Sequence, residues 1–305
     1  MNLLGKMAVL FVYMMIGYFC FRRNYLDARA SKVISFLVLN FASPALVISG
    51  TINRQGDVPG GLFPTVLAAV CLFGGMFAVA FLLPVLLRVP VRQRGVYRLM
   101  TIFSNIGFMG FPVVQALYGE EALLHTAIFQ IPYNLLIYTY GIYELTGNQK
   151  GENGAGFEWK KMINVGVAAG LLAILLYILR WDAPGFVRET LSGLGSLTAP
   201  LSMIVIGMAL AKVPLRSLFT DVRLLLFSCI KLLVVPVLGM LLAGQLIADE
   251  VLRGVFMVML ATPVGSMTAM LAEQYGGDTD LTGRGVALTT LLSVITIPVV
   301  GALTL

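Results

Sequence analysis

The chain has 305 residues, of which 58% are hydrophobic and 12% charged, and its net charge is +6. A soluble domain carries about 25% charged residues, so this composition excludes an ordinary soluble protein and indicates one that lies in lipid. Its three cysteines show no disulfide or metal-ligand spacing, and a single histidine excludes an enzyme built on a histidine cluster. The net positive charge does not indicate nucleic-acid binding, because most Lys and Arg residues lie in short loops between apolar runs.

Ten apolar runs follow one another along the chain, each near the length of about 20 residues that a membrane-crossing helix needs. Backbone hydrogen bonds must be satisfied internally in lipid, so the runs are predicted to be helices. Their uniform apolarity does not fit the alternating segments of a β-barrel. Numbered 1 to 10, the runs cover residues 3–21, 33–53, 62–87, 97–118, 122–143, 162–179, 190–211, 224–247, 251–272 and 285–304. The predicted fold class is an all-α polytopic membrane protein with ten transmembrane helices.

The basic residues between the runs predict the orientation of the chain. Of the 21 Lys and Arg residues, Lys6 and Lys231 lie inside runs, and only Arg54, Arg180, Arg188 and Arg253 follow even-numbered runs. The remaining fifteen follow odd-numbered runs. Short loops rich in Lys and Arg stay in the cytoplasm, so both termini are predicted to be extracytoplasmic.

Residues 144–161 are rich in glycine and charge, and they predict a cytoplasmic linker between two halves, residues 1–143 and 162–305. Each half has five runs, and five is odd, so the second half enters the membrane the opposite way round, as in an inverted repeat. Prolines recur in corresponding runs, as the pairs Pro44 and Pro200, Pro84 and Pro236, and Pro112 and Pro263. The alternative is that these prolines only kink separate helices.

Runs 4 and 9 contain the residues least compatible with a continuous helix. Run 4 has Asn105, Gly107, Gly110 and Pro112, and run 9 has Thr262, Pro263, Gly265, Ser266 and Thr268. Proline frees a backbone carbonyl and glycine weakens a helix, so both helices are predicted to break near the middle of the membrane. Broken ends attract ions, and half-helix N-termini attract anions such as carboxylates. Close packing of the helices at the glycines is the alternative.

Lys231 is an ionisable residue well inside run 8. Such a residue is a functional candidate, although its long side chain could also extend to the cytoplasmic surface of the membrane. No Asp or Glu falls in the middle of any run. Ion coupling therefore has to use Lys231 and backbone carbonyls, or the protein is a uniporter.

The segment NIGFMGFPVVQALYGEEAL resembles the fourth-span signature of the auxin efflux carrier family, the PIN-like transporters and their bacterial relatives. The matching positions are Asn105, Gly110, Pro112, Tyr118 and Gly119. The segment PVGSMTAMLAEQYGGD resembles the ninth-span signature through Pro263, Gly265, Ala272 and Tyr275. Lys231, five residues before Pro236, also fits the family pattern. The short linker resembles that of the bacterial branch, which implies the inner membrane and organic acids such as malate and malonate.

The resemblance implies a fold like that of sodium/proton antiporters and bile-acid symporters. Runs 1, 2, 6 and 7 would form a scaffold, and runs 3–5 and 8–10 a transport unit that moves against it like an elevator. Broken helices 4 and 9 would cross at the centre of the transport unit. A homodimer that forms through the scaffold helices is compatible with this arrangement.

The resemblance also implies where the substrate binds. Asn105 and the backbone around Pro112 and Pro263 would hold its carboxylate, together with Gly110, Gly265, Ser266 and Thr268 in the same two segments. Gln130 would face the substrate. Asn134 lies one turn further on the same helix face, where an interhelical hydrogen bond is the alternative role. Asn40 and Ser43, just before Pro44, would either contact substrate or cap a kink.

The sequence therefore predicts a secondary transporter that exports or exchanges a small organic anion, either malate- or malonate-like or auxin-like. The alternative within transport is a sodium- or proton-coupled anion symporter of the bile-acid type. A membrane-embedded enzyme and a receptor are more remote alternatives. The expected partners are the anion and the lipid bilayer, with no cofactor, metal or nucleic acid.

Overall fold

A computed structural model describes residues 3–53, 61–146, 165–214, 218–243 and 246–304, and these residues form helices and short connections. The helices of the first half are α1 (Leu3–Arg22), α2 (Ala28–Leu37), α3 (Ser43–Ile52), α4 (Leu62–Leu86), α5 (Val91–Ile102), α6 (Phe111–Tyr118), α7 (Leu123–Leu136) and α8 (Ile142–Thr146). Those of the second half are α9 (Val165–Ile178), α10 (Gly185–Ser196), α11 (Thr198–Lys212), α12 (Val222–Cys229), α13 (Val235–Ala243), α14 (Glu250–Ala261), α15 (Ser266–Tyr275) and α16 (Thr279–Thr304).

Single turns of π-helix and 3₁₀-helix connect several of these helices. The π-helical turns are Val38–Ala42, Ile106–Gly110, Ile137–Gly141 and Ile230–Val234, and the 3₁₀ turn is Glu120–Ala122. Three of the π-helical turns directly precede a proline-containing helix start, at Pro44, Pro112 and Pro236. Proline lacks a backbone N–H, and its ring crowds the preceding turn of a helix. The wider π-helical turn provides the room, so proline is tolerated at these positions.

Six helical segments of the described chain are long and apolar enough to cross a membrane. They are Gly5–Arg22, Ala28–Ile52, Leu62–Leu86, Gly185–Lys212, Val222–Leu242 and Thr279–Thr304. Large apolar side chains on their outer surfaces are exposed, as at Phe63, Leu67 and Leu82 of α4. A surface of this kind is stable only against lipid. The all-α, polytopic class predicted from the sequence is thereby confirmed.

Each of the ten predicted runs contains at least one helix, but four helical segments begin several residues earlier than the apolar pattern does. Those of runs 2, 4, 7 and 10 begin at Ala28, Val91, Gly185 and Thr279. Two of their polar first turns, those of runs 2 and 10, are capped by an aspartate side chain, and hydropathy does not register this. The Asp27 carboxylate, for example, accepts a hydrogen bond of 2.7 Å from the Ala30 N–H. The predicted linker 144–161 begins inside α8, and the rest of it lies outside the described residues.

Helices α1 and α11 cross in direct backbone contact because a glycine lies on each side of the crossing. A Cβ atom at Gly17 would overlap the Ile204 carbonyl, and one at Gly207 would overlap the Met14 carbonyl. Close approach of this kind is how membrane helices associate without a hydrophobic driving force.

Replacing Gly207 with Leu is expected to separate α1 from α11 and to lower the unfolding temperature of the purified protein. Overpacking of this type costs about 1–3 kcal/mol, and more where backbone must move. Gly74→Leu is the matched control, because nothing lies within 4 Å of a Cβ built at Gly74. Thermal unfolding in detergent compares the two variants. Equal stability would show that the glycine crossing does not hold these helices together.

Candidate functional site

The two helices predicted to break do break, and their broken segments cross. The first ends at Ile102 and resumes after Asn105, and the second ends at Ala261 and resumes at Ser266. Between these ends the two chains run antiparallel with a single bridge, Ser104 to Val264. The Asn105 N–H donates to the Pro263 carbonyl and the Gly265 N–H donates to the Phe103 carbonyl, both at 2.8 Å.

The break in run 4 lies earlier than the positions of its glycines and proline indicate. Gly110 and Pro112 are helical, and the extended residues are Phe103 to Asn105. Pro112 lies inside the resumed helical segment, directly after the π-helical turn Ile106–Gly110, whose wider turn accommodates its ring, so it does not break the helix. Asn105 caps the resumed helix, because its Oδ1 accepts a hydrogen bond of 3.3 Å from the Phe108 N–H. In run 9 the break falls at Pro263, as the sequence predicts.

A cavity of about 200 Å³ lies beside the crossing. Runs 2, 4, 5, 6 and 9 contribute to its wall. Its polar residues are Asn40, Ser43, Asn105, Gln130, Tyr133, Asn134 and Tyr138, and the rest are Leu39, Pro44, Val47, Gly107, Phe108, Phe111, Val165, Gly166, Ala169 and Met267. An apolar cavity with a few convergent polar groups is the usual form of a small-molecule site.

Three polar atoms of the cavity wall are buried without a hydrogen-bond partner among the described residues. They are Nδ2 of Asn105, Oγ of Ser43 and Oε1 of Gln130. Asn105 as a whole is only 4% exposed. Buried polar groups are nearly always hydrogen-bonded, because an unpaired one costs about 1–3 kcal/mol. These atoms are therefore the groups of the wall that gain most from a bound ligand.

Lys231 reaches the same crossing but from the side away from the cavity. It is fully buried in the π-helical turn before α13. Its Nζ donates hydrogen bonds to the Thr101 carbonyl at 3.1 Å and to Ser104 Oγ at 2.9 Å. The Thr101 carbonyl belongs to the C-terminal turn of α5, the negative end of that half-helix, where a cation is favourable. The side chain thus points into the protein and does not extend to the membrane surface.

Ser104 and Asn105 are consecutive residues of an extended segment, so their side chains point in opposite directions. Ser104 faces Lys231, while Asn105 faces the cavity. The crossing therefore stands between the buried cation and the cavity wall.

Runs 1 and 2 contact the end of run 4 and the connection between α6 and α7. A Cβ at Gly50 would lie 2.9 Å from the Glu120 carbonyl oxygen. Lys6 Nζ donates to the Leu117 carbonyl at 3.3 Å, and Asn53 Nδ2 lies 3.5 Å from Glu120 Oε2. These contacts join runs 1 and 2 to run 4 and its following loop.

Residues 2–300 match the family described as membrane transport protein. The chain belongs to this family. It is 26% identical to an uncharacterized transporter of Methanocaldococcus jannaschii over 96% of each chain. It is 23% identical to an uncharacterized transporter of Methanothermobacter thermautotrophicus, over 94% of this chain and 93% of the relative. The uncharacterized transporter YfdV of Escherichia coli is 24% identical over 68% of each chain. The resemblance to auxin efflux carriers is confirmed, and the protein is a membrane transporter.

Five of the residues predicted to bind substrate in this family member line the cavity: Asn40, Ser43, Asn105, Gln130 and Asn134. Two of them also make local bonds, because Nδ2 of Asn40 donates to the Phe36 carbonyl and Nδ2 of Asn134 to the Gln130 carbonyl, each at 2.9 Å. Asn134 thus makes a bond within its own helix. Substrate binding by the five stays a prediction.

The other six predicted residues lie at or near the crossing without lining the cavity: Gly110, Pro112, Pro263, Gly265, Ser266 and Thr268. The Pro263 carbonyl is bonded to Asn105 N–H, and Thr268 Oγ1 donates to the Gly265 carbonyl at 2.7 Å. A Cβ at Gly265 would lie 3.1 Å from the Phe103 carbonyl oxygen, so glycine permits the close crossing. Their direct role in binding stays a prediction, and their observed contacts are structural.

Sequence reasoning missed the aromatic residues of the cavity. Tyr133 and Tyr138 lie on the helix face of Gln130 and Asn134, and helical spacing from Gln130 was a usable signal for Tyr133. Phe108, Phe111 and Met267 carry no such signal, because apolar residues in an apolar run are expected everywhere.

Proposed function

We propose that this membrane transporter is a secondary transporter of a small organic anion, with the cavity beside the crossing as its carboxylate site. The observation that carries the proposal is the unpaired Nδ2 donor of Asn105, buried and directed at the cavity. A carboxylate oxygen there would accept this hydrogen bond and would also lie near the start of the resumed helix of run 4, which favours a negative charge.

The proposed architecture is ten transmembrane helices in two inverted repeats, residues 1–143 and 162–305, joined by the linker 144–161. In such a repeat, runs 1 and 2 correspond to runs 6 and 7. Helix α1 packs on α11, which pairs run 1 with run 7, and α9 packs on α3, which pairs run 6 with run 2. These are equivalent pairs under the repeat. The antiparallel pairing of Phe103–Asn105 with Pro263–Gly265 supports the same symmetry.

The proposed movement is that of an elevator, in which runs 3–5 and 8–10 shift against a scaffold of runs 1, 2, 6 and 7. The contacts of Lys6 with Leu117 and of Gly50 with Glu120 join the two units, so they would have to break on each cycle. If the termini are extracytoplasmic, these contacts lie towards the outer side of the membrane.

A sodium- or proton-coupled symporter of the bile-acid type remains the alternative coupling. Carboxylates are the usual protein ligands for coupling cations. Glu144 and the other described acidic residues lie at helix ends or in loops, and Glu144 pairs with Arg98 at 2.9 Å. Uniport therefore agrees better with the described residues. Uptake that requires an imposed sodium or proton gradient would favour the symporter.

Binding is tested by the thermal unfolding of the purified protein with a panel of small carboxylates. A ligand that binds only the folded state raises the unfolding temperature, by an amount that grows with its concentration. We expect carboxylates to stabilise the wild type and not Asn105→Ala. A panel without effect on either protein would contradict the proposed site.

The topology is tested with a cysteine introduced at Asn148, in a background from which Cys20, Cys71 and Cys229 have been removed. We expect a membrane-impermeant thiol reagent to leave Asn148→Cys unlabelled in intact cells and to label it after lysis. Trp181→Cys, in the loop after run 6, is the matched control and should be labelled from outside. Labelling of Asn148→Cys in intact cells would reverse the proposed orientation.

A further inference from the structure

Fixed charge is scarce around the cavity. Among the described residues that line it there is no Asp, Glu, Lys, Arg or His, and the only titratable side chains are those of Tyr133 and Tyr138. Its unpaired polar atoms belong to uncharged amide and hydroxyl groups. An anion that enters therefore meets the donor groups of Asn105 and Ser43 but no cation in direct contact.

One basic side chain lies close by. Lys231 is bonded to Ser104, the residue next to Asn105, and it is fully buried. None of the described carboxylates forms an ion pair with it. Burial without a counter-charge disfavours the protonated form of Lys231, so an anion bound across the crossing and the protonated lysine stabilise each other.

From these charges we infer that the cavity accepts carboxylates carrying a single negative charge and discriminates against dicarboxylate dianions. This inference rests on the proposed carboxylate site. One carboxylate and protonated Lys231 together are neutral, so the crossing occupied in this way carries no net charge from these two groups. A second carboxylate has no counter-charge within the described wall, and burying it unpaired is unfavourable.

The apolar part of the wall also favours a single charged end. Phe108, Phe111 and Met267 face the cavity, and they offer the body of a ligand dispersion contacts but no hydrogen bonds. A monocarboxylate with an apolar body fits this division, with its charged end at Asn105 and Ser43. The second charged end of a dicarboxylate would meet uncharged polar groups or apolar side chains of this wall, but no cation.

A dicarboxylate would then bind mainly after it takes up one proton. Its apparent affinity should rise about tenfold for each unit by which the pH is lowered, until the singly protonated form dominates in solution. Monocarboxylates of equal carbon number do not change charge over the same range. They therefore control for titration of the protein itself, including Lys231, Tyr133 and Tyr138.

The experiment compares matched ligands with the purified full chain by calorimetry and thermal unfolding. The pairs are butanoate with succinate and hexanoate with adipate, and monomethyl succinate is added because esterification removes one charge of succinate. Near neutral pH we expect the monoanion of each pair, and the half-ester, to bind roughly 10- to 100-fold more tightly than the dianion. The preference should shrink as the pH falls.

A variant supplies the reverse test. Met267→Lys places a cation at the cavity wall with little change in side-chain length, and Met267→Gln is its uncharged control. We expect Met267→Lys to improve succinate binding relative to butanoate by about tenfold or more, and Met267→Gln to leave the ratio unchanged. Equal binding of dianion and monoanion by the wild type would overturn the charge inference alone. No binding by any carboxylate in the series would instead overturn the proposed function.

Discussion

Asn105→Ala is expected to reduce uptake at limiting substrate by more than about tenfold, because a hydrogen bond to a charged group contributes roughly 1.5–3 kcal/mol. The Asn105 side chain carries two functions. Its Oδ1 caps the resumed helix through the Phe108 N–H, and its Nδ2 is the unpaired donor of the cavity. Uptake of a labelled carboxylate by cells or vesicles that contain equal amounts of each variant measures the effect.

A second variant separates the two functions of Asn105. Asn105→Asp keeps an oxygen that can cap the Phe108 N–H, but it replaces the Nδ2 donor with a negative charge. We expect this variant to unfold at nearly the wild-type temperature and to transport no better than Asn105→Ala. Wild-type uptake by either variant would remove Asn105 from the binding site.

Lys231→Gln is expected to change the electrical signature of transport rather than only its rate. In the proposed elevator with Lys231 protonated, the empty transport unit would carry one positive charge at the crossing, and a bound monoanion would neutralise it. With glutamine, the empty unit is neutral at this point and the loaded unit is negative. The voltage-sensitive step should therefore pass from the return of the empty unit to the movement of the loaded one.

Lys231→Arg keeps the charge but should still impair transport. The Nζ of Lys231 is bonded at 2.9 Å and 3.1 Å in a fully enclosed position, and a planar guanidinium does not fit that geometry. Currents on solid-supported membranes, recorded for wild type and both variants at several pH values, distinguish the cases. Wild-type profiles from both variants would mean that Lys231 serves only to stabilise the end of α5.

The crossing was predictable from the sequence because proline and glycine act locally. Runs 4 and 9 occupy corresponding positions in the two halves, and both contain proline and glycine, so two broken helices are predicted. In run 9 the break lies at Pro263, as predicted. The position of the other break was not predictable from composition. Proline can begin, kink or break a helix. Only the hydrogen bond from the Asn105 N–H to the Pro263 carbonyl shows that the break in run 4 lies before Pro112.

The cavity was only partly predictable, for a related reason. Polar residues inside apolar runs are rare, so Asn40, Ser43, Asn105, Gln130 and Asn134 could be identified singly. Their meeting at one cavity depends on how runs 2, 4 and 5 pack, which no local pattern encodes. The same limit applies to Lys231. The sequence indicates how deep this residue lies in the membrane, but not that its Nζ donates a hydrogen bond to Ser104.

Counterflow in proteoliposomes tests the central claim most directly. Purified wild-type protein is reconstituted in vesicles loaded with an unlabelled carboxylate, and entry of the same labelled carboxylate is followed without any imposed ion gradient. Secondary transport of an anion through the cavity predicts transient accumulation of label by the wild type and exchange that is more than about tenfold slower by Asn105→Ala. If no carboxylate enters faster than into protein-free vesicles, or if Asn105→Ala exchanges as fast as the wild type, the proposed site is contradicted.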